Sequence, residues 1–404
     1  MVITPLIRPP ATFSPRAGRR ASRRPSPREA GRGWRGAPGE GLLALAMTLL
    51  LANAASAETF RFFGSAGAES QLTPANGQSP LNPGNIAGVP YQTNVADITA
   101  FAEAVADSRA WKMRLKVRGD ASDRSSDQVR VGEGFIQLNP RPWLDVTAGR
   151  VIEKWGTAYA WNPTAFVSPL KNPTDPNDRR SSYRGIDMLK ADLFMRGTNV
   201  SLYAMEHGAF AGRVYRLIAN TDVSLLFRRD RDATREGLSV ARVFGDALEL
   251  HGEVAYVRQP GAAVLHFIQA VAGGQYTFQN NVNLVFELYH GGDGLSTTQW
   301  RAFCDTADRN LLLANRQYAP LKMGRNYSFT RIDWPSQSQK NDVELIAIAN
   351  LRDRSSIIRL TMTRKLRPSL NAYIIETEFI GGDDSEFAYI QVKRATTFGV
   401  RYYF

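Results

Sequence analysis

The 404-residue sequence predicts an all-β fold: a transmembrane, antiparallel, up-and-down β-barrel of about eighteen strands. Three observations predict it. Apolar and polar side chains alternate with a period of two in stretch after stretch, with hardly a helical period anywhere after residue 58. The links between these stretches alternate between short and long. The two ends of the chain are both unusual, one a basic segment leading into an apolar run, the other an aromatic strand with no polar tail.

The clearest strand is 111–118, where Trp111, Met113, Leu115 and Val117 share one face and Lys112, Arg114, Lys116 and Arg118 the other. Four cations turned toward lipid would each cost about 2–4 kcal/mol near the midplane, so this face must meet water, which in a barrel is the lumen. Other runs repeat the pattern. Leu144, Val146 and Ala148 oppose Asp145 and Thr147; Val282, Leu284, Phe286 and Leu288 oppose Asn283 and Glu287. Leu248, Leu250, Val254 and Tyr256 oppose Glu249, His251 and Glu253. The stretches 213–219 and 237–244 alternate poorly, as single barrel strands often do.

Short links fall at 107–110, 139–142, 196–198, 220–221, 245–246, 279–281, 335–340 and 365–369. Longer or more polar ones fall between them, at 71–94, 121–128, 152–183, 207–211, 230–236, 259–263, 291–324, 351–355 and 380–388. Tight turns on one rim and longer loops on the other are the barrel arrangement, and they give eighteen strands, with sixteen the neighbouring even count.

At the C-terminus Phe404, Tyr402, Val400, Phe398 and Thr396 lie on one face of a strand that ends the chain. This resembles the terminal signal of Gram-negative outer-membrane barrels, which implies that Phe404 and Tyr402 are read by the barrel-assembly machinery. At the N-terminus nine arginines face only Glu29 and Glu40 before the apolar run 41–52, which is followed by Ala55-Ser56-Ala57. That is a signal peptide, residues 1–57, with a long basic n-region and cleavage before Glu58, which makes 58–404 the barrel. The apolar run is shorter than the roughly 20 residues a helical span requires, and no apolar stretch closely follows Arg19-Arg20 or Arg23-Arg24, so export by the general route is expected.

The leader carries seven of the twelve net positive charges, which removes the main argument for nucleic-acid binding. A single cysteine, Cys304, excludes an internal disulfide and a Cys-based zinc site; His207, His251, His266 and His290 form no metal-binding pattern, and no cofactor is expected. No Ser follows two residues after any of these histidines, as a barrel phospholipase would require, and strand-like sequence from Thr59 leaves no room for a plug domain.

The segment Gly149-Arg-Val-Ile-Glu-Lys-Trp-Gly156 resembles a strand-to-loop passage that recurs in Gram-negative outer-membrane porins. The chain as a whole is similar to the alginate-export and substrate-specific porin groups. The resemblance implies a passive channel in the outer membrane for a small-molecule or polymer solute, surrounded by lipid and lipopolysaccharide. A structural, adhesive or lipase-like barrel is the alternative.

Two constellations bear on function. The link 152–183 contains four prolines (Pro163, Pro169, Pro173 and Pro176) and the aromatics Trp155, Tyr159, Trp161 and Phe166. Its length and stiffness predict an ordered, functional loop; as the third long link it resembles the loop that folds inward in general porins, which implies that it enters the pore and constricts it. The cations Lys112, Arg114, Lys116 and Arg118, with Arg150 and Arg401, either line the pore and favour anions or form a ladder with the acids Asp145, Glu249, Glu253, Glu287, Glu344, Glu376 and Glu378. Arg228, Arg229, Arg231 and Arg235 sit near a long link, where they meet lipopolysaccharide phosphates or water.

Overall fold

The structure is a computed structural model that describes residues 59–105, 110–260, 265–336, 338 and 340–404. The expected leader and its cleavage before Glu58 lie outside the described residues. Among the described residues eighteen strands follow one another. The first six are β1 (Thr59–Leu72), β2 (Gln92–Val105), β3 (Trp111–Ser122), β4 (Ser125–Arg141), β5 (Leu144–Val151) and β6 (Ile186–Met195). Next come β7 (Thr198–Met205), β8 (Phe210–Ile218), β9 (Thr221–Arg229), β10 (Thr234–Phe244), β11 (Leu248–Gln259) and β12 (Leu265–Thr277). The last six are β13 (Asn283–Gly291), β14 (Asn326–Pro335), β15 (Asn341–Asn350), β16 (Ser356–Arg367), β17 (Leu370–Ile380) and β18 (Arg394–Tyr403). Each pairs antiparallel with its sequence neighbours, and β1 also pairs with β18, so the sheet closes on itself without an edge.

Closure is sealed at the end of the chain. Ser65 faces Tyr403 and Leu72 faces Thr396 across the seam, and Phe404 continues it by exchanging backbone hydrogen bonds with Gly64 at 2.8 and 3.1 Å. Gly64 leaves room for this: a Cβ there would stand 2.7 Å from the Phe404 ring, which instead stacks on Phe62 at 5.7 Å.

The alternation predicted from sequence fixes which face of each strand looks out. Phe398, Val400 and Tyr402 are exposed on the outer wall, whereas Thr397 and Arg401 between them are buried inside. Leu202, Leu225, Phe286 and Ile374 continue the exposed apolar surface, the reverse of a water-soluble fold and the expected character of a lipid-facing band.

Three elements differ from the sequence expectation. The polar stretch 121–128 is not a long link: β3 and β4 run through it to a turn at Asp123-Arg124, with Asp120 paired to Gln128 and Ser122 to Ser125. A strand end that is wet on both faces keeps the pairing but loses the alternation, so it reads as loop. The link after β13 contains two helices, α1 (Thr297–Arg309) and α2 (Leu311–Gln317). A capping box between Ser296 and Gln299 starts α1, and the Asn310 side chain caps α2. Finally, Glu376 and Glu378 do not point inward. They share the outer face with exposed Ile374, while Tyr373, Ile375 and Thr377 turn inside.

Candidate functional site

The segment between β5 and β6 folds into the barrel and crosses it. It leaves β5 with Ile152 N–H bonded to Glu133 Oε1 at 3.2 Å, and returns with Gly185 N–H bonded to the Gly132 carbonyl at 2.7 Å. Between these ends its backbone is held by two carboxylates of the far wall. Glu253 on β11 accepts from Thr157 N (2.6 Å), Ala158 N (2.8 Å), Thr164 N (3.0 Å) and Thr164 Oγ1 (2.7 Å). Glu287 on β13 accepts from Tyr159 N and from Ala160 N (2.9 Å), and its Oε1 lies 3.0 Å from His251 Nε2. A buried carboxylate needs several donors, and a turn that aims consecutive N–H groups at it supplies them. Gly156 makes the approach feasible: its φ is 85°, and a Cβ there would sit 2.6 Å from Glu253 Oε1.

The predicted loop aromatics clamp this seat onto the wall. Trp155, 1% exposed, packs edge-on against Tyr203 (5.2 Å) and Phe166 (6.2 Å), and its Nε1 lies 3.3 Å from Tyr203 OH. Trp161 stacks on Tyr289 at 4.9 Å and on Tyr327 at 5.6 Å, with Tyr159 packed in the same cluster. Arginines finish the fastening. Arg228 donates to the Phe166 carbonyl, Arg359 to that of Thr174 and Arg118 to that of Arg180, while Lys116 Nζ reaches the Tyr183 carbonyl at 3.0 Å.

The cation row splits in two. Arg118 and Arg401, with side chains 2% and 1% exposed, both bind Asp97, at 3.1 and 2.9 Å; Arg180 from the loop joins them at 3.2 Å, and Asp120 takes a second nitrogen of Arg118. Lys116 is likewise buried beneath the loop. Lys112 and Arg114 are 34% and 30% exposed, but Lys112 lies 2.9 Å from Glu103 and Arg114 lies 2.9 Å from Glu133. The row is therefore a ladder, though not with the acids expected. Its partners are Asp97, Glu103, Glu133 and Asp120, whereas Glu253 and Glu287 hold the loop. Arg150 is not part of it: between inward Gly149 and Val151 it turns outward and pairs with Asp187. Arg228 and Arg235 also turn inward and share Asp230, at 2.9 and 2.7 Å.

Sequence reasoning passed over Asp97 and Glu103, although the signal was present. In β2 they alternate with Thr99 and Phe101 on one face, and the β2–β3 register sets Glu103 opposite Arg114 and Thr99 opposite Arg118.

On the long-loop side of the crossing lies a cavity of about 960 Å³. Trp161, Lys171, Tyr183, Arg359 and Tyr289 form much of its floor and wall, and α2 with the residues after it forms its outer side. Lys171 donates to the Ala158 carbonyl at 2.6 Å, and burial holds its pKa below the usual lysine value despite Glu287 and Glu253 nearby. Arg184, Arg316 and Lys322 also line the cavity; all three are exposed, and none forms an ion pair with a described residue. Three acids also line it: Asp175 is buried, Asp178 accepts from Ser182 and Tyr183, and Asp293 accepts from Gln269. No group of three or more metal-ligating side chains occurs among the described residues.

No protein-family model matches the sequence, and no curated protein matches it. Solved structures do. Pseudomonas aeruginosa OccK11 (OpdR) superposes with a TM-score of 0.58 at 9% identity, over 85% of this chain and 95% of that one. An engineered mutant of the Rh. blastica porin gives 0.50 at 10% identity, over 86% of this chain and all of the other. At such identities the likeness is one of fold: the chain, with its closed antiparallel sheet of eighteen strands among the described residues, shares the barrel fold of these porins.

Proposed function

We propose that the protein is an outer-membrane channel through which small hydrophilic solutes pass passively, with 152–185 as its constriction. The observation that carries this reading is the seat of the loop, whose backbone is bound by Glu253 and Glu287 across the interior of a closed barrel. A barrel that served only as a scaffold or an adhesin would have no use for an ordered obstruction inside it. On this reading residues 1–57 are an export leader, and Phe404 with Tyr402 is the strand presented to the barrel-assembly machinery.

The channel favours anions, and the preference arises at the cavity rather than in the strand row. Lys112, Arg114, Lys116, Arg118 and Arg401 have acids or carbonyls of their own, which cancel most of their field at a distance. Arg184, Arg316 and Lys322 face the cavity without such partners. A charge pair worth about 1 kcal/mol at 4 Å in bulk water is worth several times more where the dielectric is lower, so the excess of the lining cations Lys171, Arg184, Arg316, Lys322 and Arg359 over the lining acids Asp175, Asp178 and Asp293 biases which ions enter.

Reconstitution of the purified protein in a planar bilayer under a salt gradient tests both parts. The expected result is open-channel conductance with an anion-selective reversal potential. Replacing Arg184, Arg316 and Lys322 by Gln should move that potential toward cation selectivity. A cation-selective wild type would defeat the anion reading. Absence of conductance in a folded protein would defeat the channel itself and favour a structural barrel.

A further inference from the structure

The inner wall is one-sided at its short-turn end. β14 finishes at Pro335 and β15 begins at Asn341, so Asp333 and Asp342 stand near that mouth of the lumen. The register sets Asn283 opposite Asp333, Asp333 opposite Glu344, and Glu344 opposite Thr361. Side chains alternate along a strand, so these residues share the inner face with buried Phe329, Arg331 and Ile346. Gln275 joins them from β12, opposite buried Val285 and diagonal to Asn283. Oxygen acceptors thus follow one another over five adjacent strands, β12 to β16.

One cation serves this row. Arg331 Nε lies 2.7 Å from Glu344 Oε2, and its Nη2 lies 3.1 Å from Asp333 Oδ2. Asp342 faces Asp333, Glu344 and Arg331, yet forms no ion pair with a described residue. Lys365, further along the inner face of β16, forms none either. Donors are missing as well. Gln275 Oε1, Asn283 Oδ1, Asp333 Oδ1 and Thr361 Oγ1 are buried without a hydrogen-bond partner among the described residues. The Asn283 amide is oriented by its Nδ2, which donates to Thr277 Oγ1 at 2.9 Å and leaves the oxygen free. Thr361 is 6% exposed and stands across from Glu344 with its hydroxyl unused. Buried oxygens without donors are costly, and three carboxylates around one guanidinium repel one another.

We propose that this row is a subsite for the primary ammonium group of a solute. Asp333, Asp342 and Glu344 supply the countercharge, and Thr361, Asn283 and Gln275 supply further acceptors. An ammonium carries three N–H donors and no acceptor, so it provides both things the row lacks. No three of these acids form a metal-ligating group among the described residues, which makes an N–H cation the matching class rather than a metal ion. The role of the subsite rests on the channel reading. With Arg184, Arg316 and Lys322 at the long-loop entrance, a solute with an anionic and an ammonium end meets opposite charge on each side of 152–185.

The test is calorimetric titration of the full-length protein in detergent with butylammonium, and with tetraethylammonium, which has the same charge and no N–H. The wild type should bind butylammonium saturably and tetraethylammonium far more weakly, a contrast that needs no variant to fold. Asp333→Asn with Asp342→Asn should weaken butylammonium binding roughly 25-fold, about fivefold for each charge. Thr361→Val, which keeps every charge, should weaken it about fivefold. Asp222→Asn, at a carboxylate already bonded to Tyr215 on another part of the wall, should leave it unchanged. In a planar bilayer, butylammonium added on the short-turn side should reduce the current more than the same addition on the long-loop side. Equal binding of the two cations, binding of neither, or an unaffected folded double variant would overturn the subsite. Specific butylammonium binding by a protein that conducts nothing would uphold the subsite and defeat the channel reading instead.

Discussion

Glu253 is buried, has no cation partner among the described residues, and accepts four hydrogen bonds from one turn of the loop. In Glu253→Gln one oxygen becomes an amide that points N–H groups at donors on Thr157 and Ala158 or at those on Thr164. Each broken charge-assisted bond costs about 1–3 kcal/mol, so amide exchange at Thr157, Ala158 and Thr164 should speed up roughly tenfold or more. Unchanged protection would mean that the loop is held elsewhere. At this scale the sequence was half legible. The cation row of β3 was plain from alternation alone, and its partners were not, because an ion pair between strands depends on register. A shift by one residue would have set Arg114 opposite Ala102 or Ala104 instead of Glu103. Glu253 and Glu287 read simply as lumen acids, since nothing in their own strands shows that a loop more than ninety residues upstream turns its backbone toward them.

The outer loops behave as one element, fastened at Glu386. Its buried carboxylate accepts from Leu321 N (2.7 Å), Asn350 Nδ2 (2.6 Å) and Tyr327 OH (2.8 Å), and its own N–H bonds to Asp353 Oδ2 (2.9 Å). The segments after α2, after β15 and before β18 thus meet at one residue. Burial raises the Glu386 pKa to about 7, against the opposing effect of those donors. A carboxyl whose folded-state pKa exceeds its unfolded value binds the proton more tightly when folded. Its stabilising contribution is therefore complete below about pH 4.5 and lost as pH rises toward 7. The assembled loops should resist proteolysis and hydrogen exchange better at pH 5 than at pH 8, and Glu386→Gln should remove most of that difference. Equal protection of the wild type at both pH values would contradict this. Helices α1 and α2 escaped a reading tuned to period two, although Ser296-Thr-Thr-Gln299 is a capping-box signature in plain view. The segment 152–183 was legible as an element because its prolines and aromatics announce order. Where it packs was not, because that depends on walls brought together by barrel closure.

Whole-molecule architecture was the most legible level. Eighteen strands are marked by alternation and by turn chemistry, as at Ala219-Asn220, where both residues adopt positive φ (48° and 60°) in a two-residue hairpin. Closure itself leaves only the faint mark of an aromatic last strand. Phe404 completes the seam by pairing with Gly64 and stacking on Phe62, so deleting it should lower the amount of folded, heat-modifiable barrel in the outer membrane. Normal levels in the deletion variant would refute a role in assembly. If 152–185 obstructs an otherwise open lumen, as proposed, its excision will raise the single-channel conductance. With residues 154–183 replaced by a short Gly/Ser bridge, a correctly folded barrel should conduct several-fold more than the wild type. Equal conductance would contradict a constriction by 152–185 and place it elsewhere.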